Sequence, residues 1–86
     1  MDNRLKRLHM RSWRRGMKEM DLILGPWADA NLETLSERTI ELYDRLLEEN
    51  DQDLLAWMLG QRPIPDGPTA PLIAEIAVFA RERFDK

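Results

Sequence analysis

The chain has 86 residues, no cysteine and a formal net charge of −3 at pH 7; 43% of its residues are hydrophobic and 34% are charged. That length fits one small domain, and the lack of cysteine excludes a disulfide framework and a thiolate metal site. The composition is that of a folded soluble protein, and no apolar run is long enough to cross a membrane. We therefore expect one domain over residues 1–86, in the cytoplasm of a bacterium and without membrane insertion.

Positive charge is concentrated at the start of the sequence. Residues 1–18 contain seven basic side chains and one acidic one, a net charge of +6, whereas the remaining residues contain six basic and 15 acidic side chains, a net charge of −9. A basic helix of this kind suits RNA, an anionic membrane surface or an acidic protein surface. It equally suits a solvated face that is balanced by the acidic half of the same fold, and charge alone does not choose among these.

No segment alternates apolar and polar residues long enough to predict a strand, whereas helical spacing fits much of the chain. The first helix is predicted over about residues 3–15, and Gly16 favours its end or a sharp junction. Its inner stripe consists of Leu5, Leu8 and Ser12, with Trp13 beside it. The second helix has an apolar side formed by Met17, Met20, Ile23, Leu24 and Trp27. Pro26 lies within that pattern and predicts a kink or an end near Gly25.

The third predicted helix has clear boundary signals. Ser36 is a good N-cap, Glu37 favours the first turn, and Leu35 is placed to pack as a hydrophobic staple. The inner side continues at helical spacing through Ile40, Tyr43, Leu46 and Leu47. Asn50 and Asp51 then end this helix and cap the next one.

The fourth helix is short, predicted from Asp53 to Met58 or Leu59, where Gly60 stops it. Its buried side consists of Leu54, Trp57 and Met58. Residues 62–68 are proline-rich and cannot continue a helix, so they predict an extended connector.

The last helix is predicted after the connector, with Thr69 as its cap and Pro71 in its first turn. Its inner face consists of Leu72, Ile73, Ile76, Phe79 and Ala80. Five short helices with brief connections and no internal repeat predict an all-α fold, a compact bundle in a single domain.

No combination of residues in the chain predicts catalysis or metal binding. His9 is the only histidine and has Arg7 and Arg11 as sequence neighbours, so a structural, surface or half-buried role explains it best. Neither serine has a histidine partner at a recognisable spacing. The acidic cluster lacks the ligand spacing and central glycine of a calcium loop, so a helix-end charge cluster explains it better. That cluster consists of Glu48, Glu49, Asp51 and Asp53. By elimination, the chain is expected to act by binding, with no catalytic residue and no metal.

Residues 14–21 contain the most informative local pattern. If this segment is helical, Arg15 and Glu19 lie four residues apart and side by side. Gly16 between them costs helix stability and leaves a gap in side-chain cover. A bare backbone spot between a positive and a negative group fits a docking point for another chain. A helix-ending glycine beside an exposed ion pair is the competing explanation, and the residues alone slightly favour it.

Two segments resemble the signatures of one family. Residues 13–22, WRRGMKEMDL, resemble a motif of the succinate dehydrogenase assembly factor (flavinylation factor) family that is built around Arg-Gly-x-x-Glu. Residues 46–57, LLEENDQDLLAW, resemble the downstream motif of that family, an acidic Asp-x-Asp-Leu followed shortly by Trp. Chain length, helix count and the proline-bearing connector also match, so the resemblance covers nearly the whole chain.

The resemblance implies a five-helix protein that binds the flavoprotein subunit of succinate dehydrogenase, and in bacteria also that of fumarate reductase. Such a protein would assist formation of the bond between the 8α-methyl carbon of FAD and a histidine of that subunit. It would not supply the catalytic groups. We accordingly expect a monomer that holds no tightly bound cofactor and acts on the FAD of its partner.

Carried onto this sequence, the resemblance places Arg15, Gly16 and Glu19 at the centre of the docking surface. Gly16 would permit close approach of the partner's backbone, while Arg15 and Glu19 would pair with opposite charges on the partner. The residues that would extend this surface are His9, Arg11 and Asp21. The residues assigned mainly to structure, as caps and core, are Asp51, Asp53 and Trp57.

Two other classes of function stay open at the level of sequence. The basic first helix permits a binder of nucleic acid or of a membrane surface, but the chain has no reading motif and is acidic overall, so no nucleic-acid partner is expected. An inhibitory, antitoxin-type regulator would share the small helical architecture. A low-turnover enzyme fits the sequence least.

Overall fold

The computed structural model describes residues 3–84 and contains five α-helices and no strand within that range, which confirms the predicted fold class. The helices are α1 (Asn3–Trp13), α2 (Lys18–Asn31), α3 (Glu37–Leu46), α4 (Asp51–Met58) and α5 (Ala70–Phe84). A short 3₁₀ turn, Leu32–Thr34, joins α2 to α3. Within the described residues, no helix combines the length and apolar character that a membrane span requires.

The helix boundaries follow from local hydrogen bonds. The Ser36 side chain accepts a hydrogen bond from the backbone N–H of Thr39, as expected of an N-cap. The Asn50 side chain accepts from the backbone N–H groups of Gln52 and Asp53, so α4 begins at Asp51, two residues before the predicted start. Because one asparagine satisfies two amides that no helical carbonyl reaches, the helix starts directly after it.

Helix α2 continues through Pro26, so of the two predicted outcomes, a kink or an end near Gly25, the end does not occur. A proline inside a helix removes one hydrogen bond and costs about 3 kcal/mol. Trp27 and Ala28, which follow it, are fully buried. Burying a tryptophan removes roughly 200 Å² from water, worth about 5 kcal/mol at about 25 cal/mol per Å². The packing of the segment after Pro26 therefore outweighs the local penalty.

The core is shared by all five helices. The Trp27 and Tyr43 rings lie at its centre, with their centroids 4.9 Å apart and their planes tilted by 39°. The other fully enclosed large side chains are Met20, Leu24, Leu32, Leu46, Leu54, Met58, Ile73 and Ile76. Most of this set was predicted to face inward, whereas the predicted inner residues Leu5, Met17, Trp57 and Phe79 are only partly buried.

Two linked hydrogen bonds lie within this core and join α1 to α3. The Ser12 hydroxyl donates to the carbonyl of Leu8 at 2.7 Å, and the Tyr43 hydroxyl lies 2.6 Å from the Ser12 oxygen. Since the Ser12 proton is already used, the Tyr43 hydroxyl donates to Ser12. Burial raises the pKa of Tyr43 to about 12.

This environment of Tyr43 predicts a loss of stability at high pH. Between its ordinary pKa of 10.0 and its folded pKa of about 12, the unfolded chain loses the phenol proton while the folded chain keeps it. The free energy of unfolding should therefore be unaffected by this group below its unfolded pKa. It should then fall by about 1.4 kcal/mol per pH unit as the pH rises toward the folded pKa.

Urea unfolding followed by circular dichroism across this pH range measures the effect. Tyr43→Phe is the matched control, because it removes the phenol and leaves the Ser12 bond to Leu8 in place. The variant should lose stability less steeply than the wild type as pH rises. Equal slopes would show that Tyr43 does not control the alkaline limit.

Candidate docking surface

The junction between α1 and α2 is built around Gly16. Its backbone has a φ of +87°, a conformation that residues with a Cβ rarely adopt, so glycine is required here. A Cβ placed on Gly16 would meet no atom within 4 Å, which leaves the space above its backbone open to solvent. Helix α1 ends at Trp13 rather than Arg15. The segment is therefore not one continuous helix, and the condition under which Arg15 and Glu19 would lie side by side is not met, because Gly16 forms the predicted sharp junction between them.

The Arg15 guanidinium points into the fold and not toward solvent. Its Nε donates to Asp51 at 2.7 Å, and its two terminal nitrogens donate to the carbonyls of Leu47 at 2.7 Å and Glu49 at 3.0 Å. The side chains of Arg15 and Asp51 are only 10% and 20% exposed. Arg15 thus fastens the α1–α2 junction to the corner between α3 and α4. This placement fits a positioning role. The positive charge of Arg15, which was expected to pair with the partner, is paired with Asp51 instead.

Two other predicted site residues, Asp21 and Arg11, also use their polar groups within the fold. Asp21 accepts a hydrogen bond from the backbone N–H of Arg15 at 2.7 Å, which fixes the junction from the α2 side. Arg11 forms ion pairs with Asp44 and Glu48 on and just beyond α3. These contacts brace the junction and α1 from two directions.

His9 and Trp13 share one partner on α2. The Nδ1 atom of His9 and the Nε1 atom of Trp13 each lie 3.2 Å from the same carboxylate oxygen of Asp29. The Trp13 indole lies against the backbone of Gly25, where an added Cβ would come within 2.3 Å of the ring. Gly25 is therefore needed for close packing of the two helices, and His9 has the half-buried structural placement expected of it.

Among the predicted site residues, Glu19 has a charged group that is both exposed and unpaired within the described residues. It is exposed and forms no ion pair with any residue of the described range 3–84. It stands at the edge of a groove of about 230 Å³ between α2 and α4. The rest of the groove is lined by Leu22, Ile23, Leu55 and Leu59. A carboxylate beside an apolar floor combines the two kinds of contact found in protein interfaces.

The groove was not predicted, although a signal for it exists in the sequence. Leu22 and Leu59 are 41% and 52% exposed, and both lie outside the apolar stripes that form the core. Leu55 precedes Leu59 by one helical turn and faces the same side of α4. Apolar residues left over after the inner faces are assigned therefore mark this surface. We define the docking surface as Gly16, Glu19 and the groove beside them.

The described residues form a small helical-bundle protein with an open groove of mixed apolar and acidic character between α2 and α4. Among the described residues, no group of three or more histidine, aspartate or glutamate side chains is arranged to hold a metal ion. The family model described as flavinator of succinate dehydrogenase matches residues 6–80, and the chain belongs to that family. The family resemblance seen in the two sequence motifs is thereby confirmed.

The relatives of the chain carry consistent names. It is 40% identical over 81 residues to the FAD assembly factor SdhE of Legionella pneumophila (strain Lens), covering 94% of this chain and 96% of the relative. The FAD assembly factor SdhE of Acetobacter pasteurianus is 29% identical over 80 residues, 93% of this chain and 73% of the relative. A mitochondrial succinate dehydrogenase assembly factor 2 from Dictyostelium discoideum is 38% identical over 61 residues, 71% of this chain and 43% of the relative. No solved structure matches the chain.

Proposed function

We propose that this protein is an assembly factor that binds the flavoprotein subunit of succinate dehydrogenase and promotes covalent attachment of FAD to a histidine of that subunit. The family match over residues 6–80 carries the proposal, because it includes the α1–α2 junction, Glu19 and every residue of the groove. The fumarate reductase flavoprotein, whose FAD attachment poses the same chemical problem, is proposed as a second client.

The docking surface suits a protein partner better than a cofactor. A groove of about 230 Å³ is smaller than the roughly 300–1,000 Å³ of typical ligand pockets, and it is lined by apolar side chains. It has room for one or two apolar side chains of a partner. The open backbone at Gly16 permits a second chain to approach closely, and the unpaired Glu19 carboxylate selects for a basic group on that chain. FAD thus belongs to the partner, and this protein binds none tightly.

The protein is proposed to act by selecting a conformation of its partner. The flavoprotein supplies the chemistry: proton loss from the flavin methyl group, attack by its own histidine, and stabilisation of the negative charge on the flavin ring. An assembly factor that binds only the state in which methyl carbon and histidine are aligned raises the population of that state. The acceleration is then a proximity effect, provided through binding energy and without a catalytic residue on this chain. In this scheme Glu19 contacts the partner, whereas Arg15 and Asp21 hold Gly16 in place.

Glu19→Ala is the direct test of this function. The gene is deleted, and then either the wild type or the variant is restored, and covalent flavin on the flavoprotein is read by in-gel fluorescence after denaturation. We expect the band to fade on deletion and to return with the wild type. With Glu19→Ala, affinity for the flavoprotein should fall by about tenfold or more, because the basic group of the partner is left unpaired in the interface, and the band should be weak.

Glu33→Ala provides the matched control. Glu33 is also an exposed glutamate without an ion pair among residues 3–84, but it lies in the 3₁₀ turn and does not line the groove. This control should restore the flavin band fully. A band that is unchanged by the deletion itself would refute assisted flavinylation in that host.

A further inference from the structure

The basic residues of the first helix fall into two groups with different surroundings. Arg4 pairs with Glu37 at 2.9 Å, and Arg11 pairs with Asp44 and Glu48, so these two cations are neutralised by α3 and the residues after it. The other basic residues between positions 3 and 14 form no ion pair or side-chain hydrogen bond with any residue of the described range 3–84. They are Lys6, Arg7 and Arg14. The charge excess of the N-terminal segment is therefore only partly absorbed by the fold.

The unpaired cations lie together on the solvent side of the helix. At 100° per residue, Lys6, Arg7 and Met10 point away from Leu8 and Ser12, the buried residues of α1. Arg14 follows directly after the helix and is also exposed. Met10 is 44% exposed at the centre of this area, in a shallow groove that it shares with Lys6 and Arg7. We call Lys6, Arg7, Met10 and Arg14 the basic face.

We propose that the basic face is a second contact surface, which steers this protein onto an acidic patch of the same flavoprotein subunit that the docking surface binds. The inference rests on the proposed function for the identity of the partner. Arg14 stands two residues before Gly16, so the basic face and the docking surface adjoin, and one partner is able to cover both. Met10 adds an apolar contact at the centre of the charged area.

The surroundings of the basic face favour a folded acidic protein over a nucleic acid or a membrane. Carboxylates border it on both sides: Asp44 and Glu48 beyond one edge of α1, and Asp29 beyond the other. The chain as a whole has a net charge of −3. An extended polyanion would also contact these carboxylates and be repelled by them. A small acidic patch on a protein is able to contact the basic face alone.

The test measures association rates with the purified, FAD-loaded flavoprotein subunit. Lys6→Glu/Arg14→Glu reverses two charges of the basic face, and Arg38→Glu/Arg45→Glu makes the same change in net charge on the exposed side of α3. Stopped-flow mixing at low ionic strength should show an association rate constant at least about tenfold lower for the first variant. The α3 control should change it by no more than about twofold, and added salt should reduce the difference. At saturating concentration, the first variant should still support covalent flavin attachment, because Gly16 and Glu19 are intact.

Three outcomes overturn the inference. Equal slowing of both double variants would make net charge, and not the basic face, responsible. Unchanged association of Lys6→Glu/Arg14→Glu, with a wild type that binds and raises covalent flavin, would remove the basic face from the interface while leaving the proposed function intact. The third outcome has two parts. The wild type binds anionic phospholipid vesicles or duplex DNA and the variant does not, while both associate with the flavoprotein at the same rate. That result would assign the basic face to a polyanion instead. Failure of the proposed function is seen separately, as a wild type that neither binds the subunit nor raises its covalent flavin.

Discussion

Asp51→Ala is expected to lower the free energy of unfolding by about 3 kcal/mol. The substitution leaves the Arg15 guanidinium, which is only 10% exposed, without the carboxylate that balances its charge. Removing one partner of a buried ion pair typically costs about 3–5 kcal/mol, and the low end applies because Asp51 keeps a fifth of its surface in water. For a chain of this length, total stability is on the order of 5–10 kcal/mol, so the loss should lower the melting temperature markedly.

Asp53→Ala is the matched control for this prediction. Asp53 lies on the same helix and pairs with Arg62, but both side chains are about half exposed, so its loss should cost less than about 1 kcal/mol. Urea unfolding of both variants gives the comparison. If Asp51→Ala does not fold, Asp51→Asn keeps an oxygen for the Arg15 hydrogen bond and should show a smaller loss. Equal losses at Asp51 and Asp53 would contradict the importance of the buried pair.

The same variant distinguishes positioning from direct contact at the docking surface. Asp51 accepts a hydrogen bond from Arg15, the residue next to Gly16, and so reaches the α1–α2 junction through Arg15. If Arg15 positions the junction, Asp51→Ala should also weaken binding to the flavoprotein subunit, measured by titration under conditions where the variant is folded. Unchanged binding by the folded variant would show that the Arg15–Asp51 pair serves stability alone.

Gly16→Arg is expected to raise the dissociation constant for the flavoprotein subunit by about 100-fold or more, a loss of about 3 kcal/mol of binding free energy. Because a Cβ at this position meets nothing within 4 Å, the arginine would project outward into the space that the partner must occupy. The backbone φ of +87° adds a cost of about 1–2 kcal/mol to folding, since residues with a Cβ are strained there. The variant should therefore fold and fail to dock.

Gly67→Arg is the control for backbone strain and added charge. Gly67 also has a positive φ, +154°, and open space around it, but it lies in the connector before α5 and does not line the groove. This variant should lose some stability and keep its affinity. Calorimetric titration of the flavoprotein subunit with both variants makes the comparison. Wild-type affinity in Gly16→Arg would show that the partner does not cover the α1–α2 junction.

The helices and most of their ends were predictable because they depend on neighbours in sequence. Ser36 caps the third helix through an amide three residues away, and Asn50 caps the fourth in the same manner. Gly60 closes the end of α4 and Gly16 turns the chain between α1 and α2, each with a positive φ, a property of glycine itself. Helical spacing of the apolar residues was enough to identify most of the inner faces, and the first family motif contains Gly16 and Glu19.

Contacts between residues distant in sequence determined the features that local sequence could not predict. Helix α2 does not end near Gly25, one of the two predicted outcomes, because the residues after Pro26 pack in the core, an effect that local propensity does not include. Arg15 and Asp51 are 36 positions apart, so only the folded chain shows that they pair with each other. The same holds for Glu19, whose carboxylate is exposed and unpaired among the described residues.

The groove and the basic face were decided in the same way. The sequence separated apolar from polar residues, but the apolar side chains of α2 and α4 form a groove only because the two helices meet at that edge and nothing covers it. Likewise, seven basic residues were visible near the start of the chain, and the packing of this segment against α3 and the start of α4 determined which of them are paired with carboxylates. Capping and periodicity act over a few residues along the chain, whereas exposure and charge pairing depend on which helices pack together.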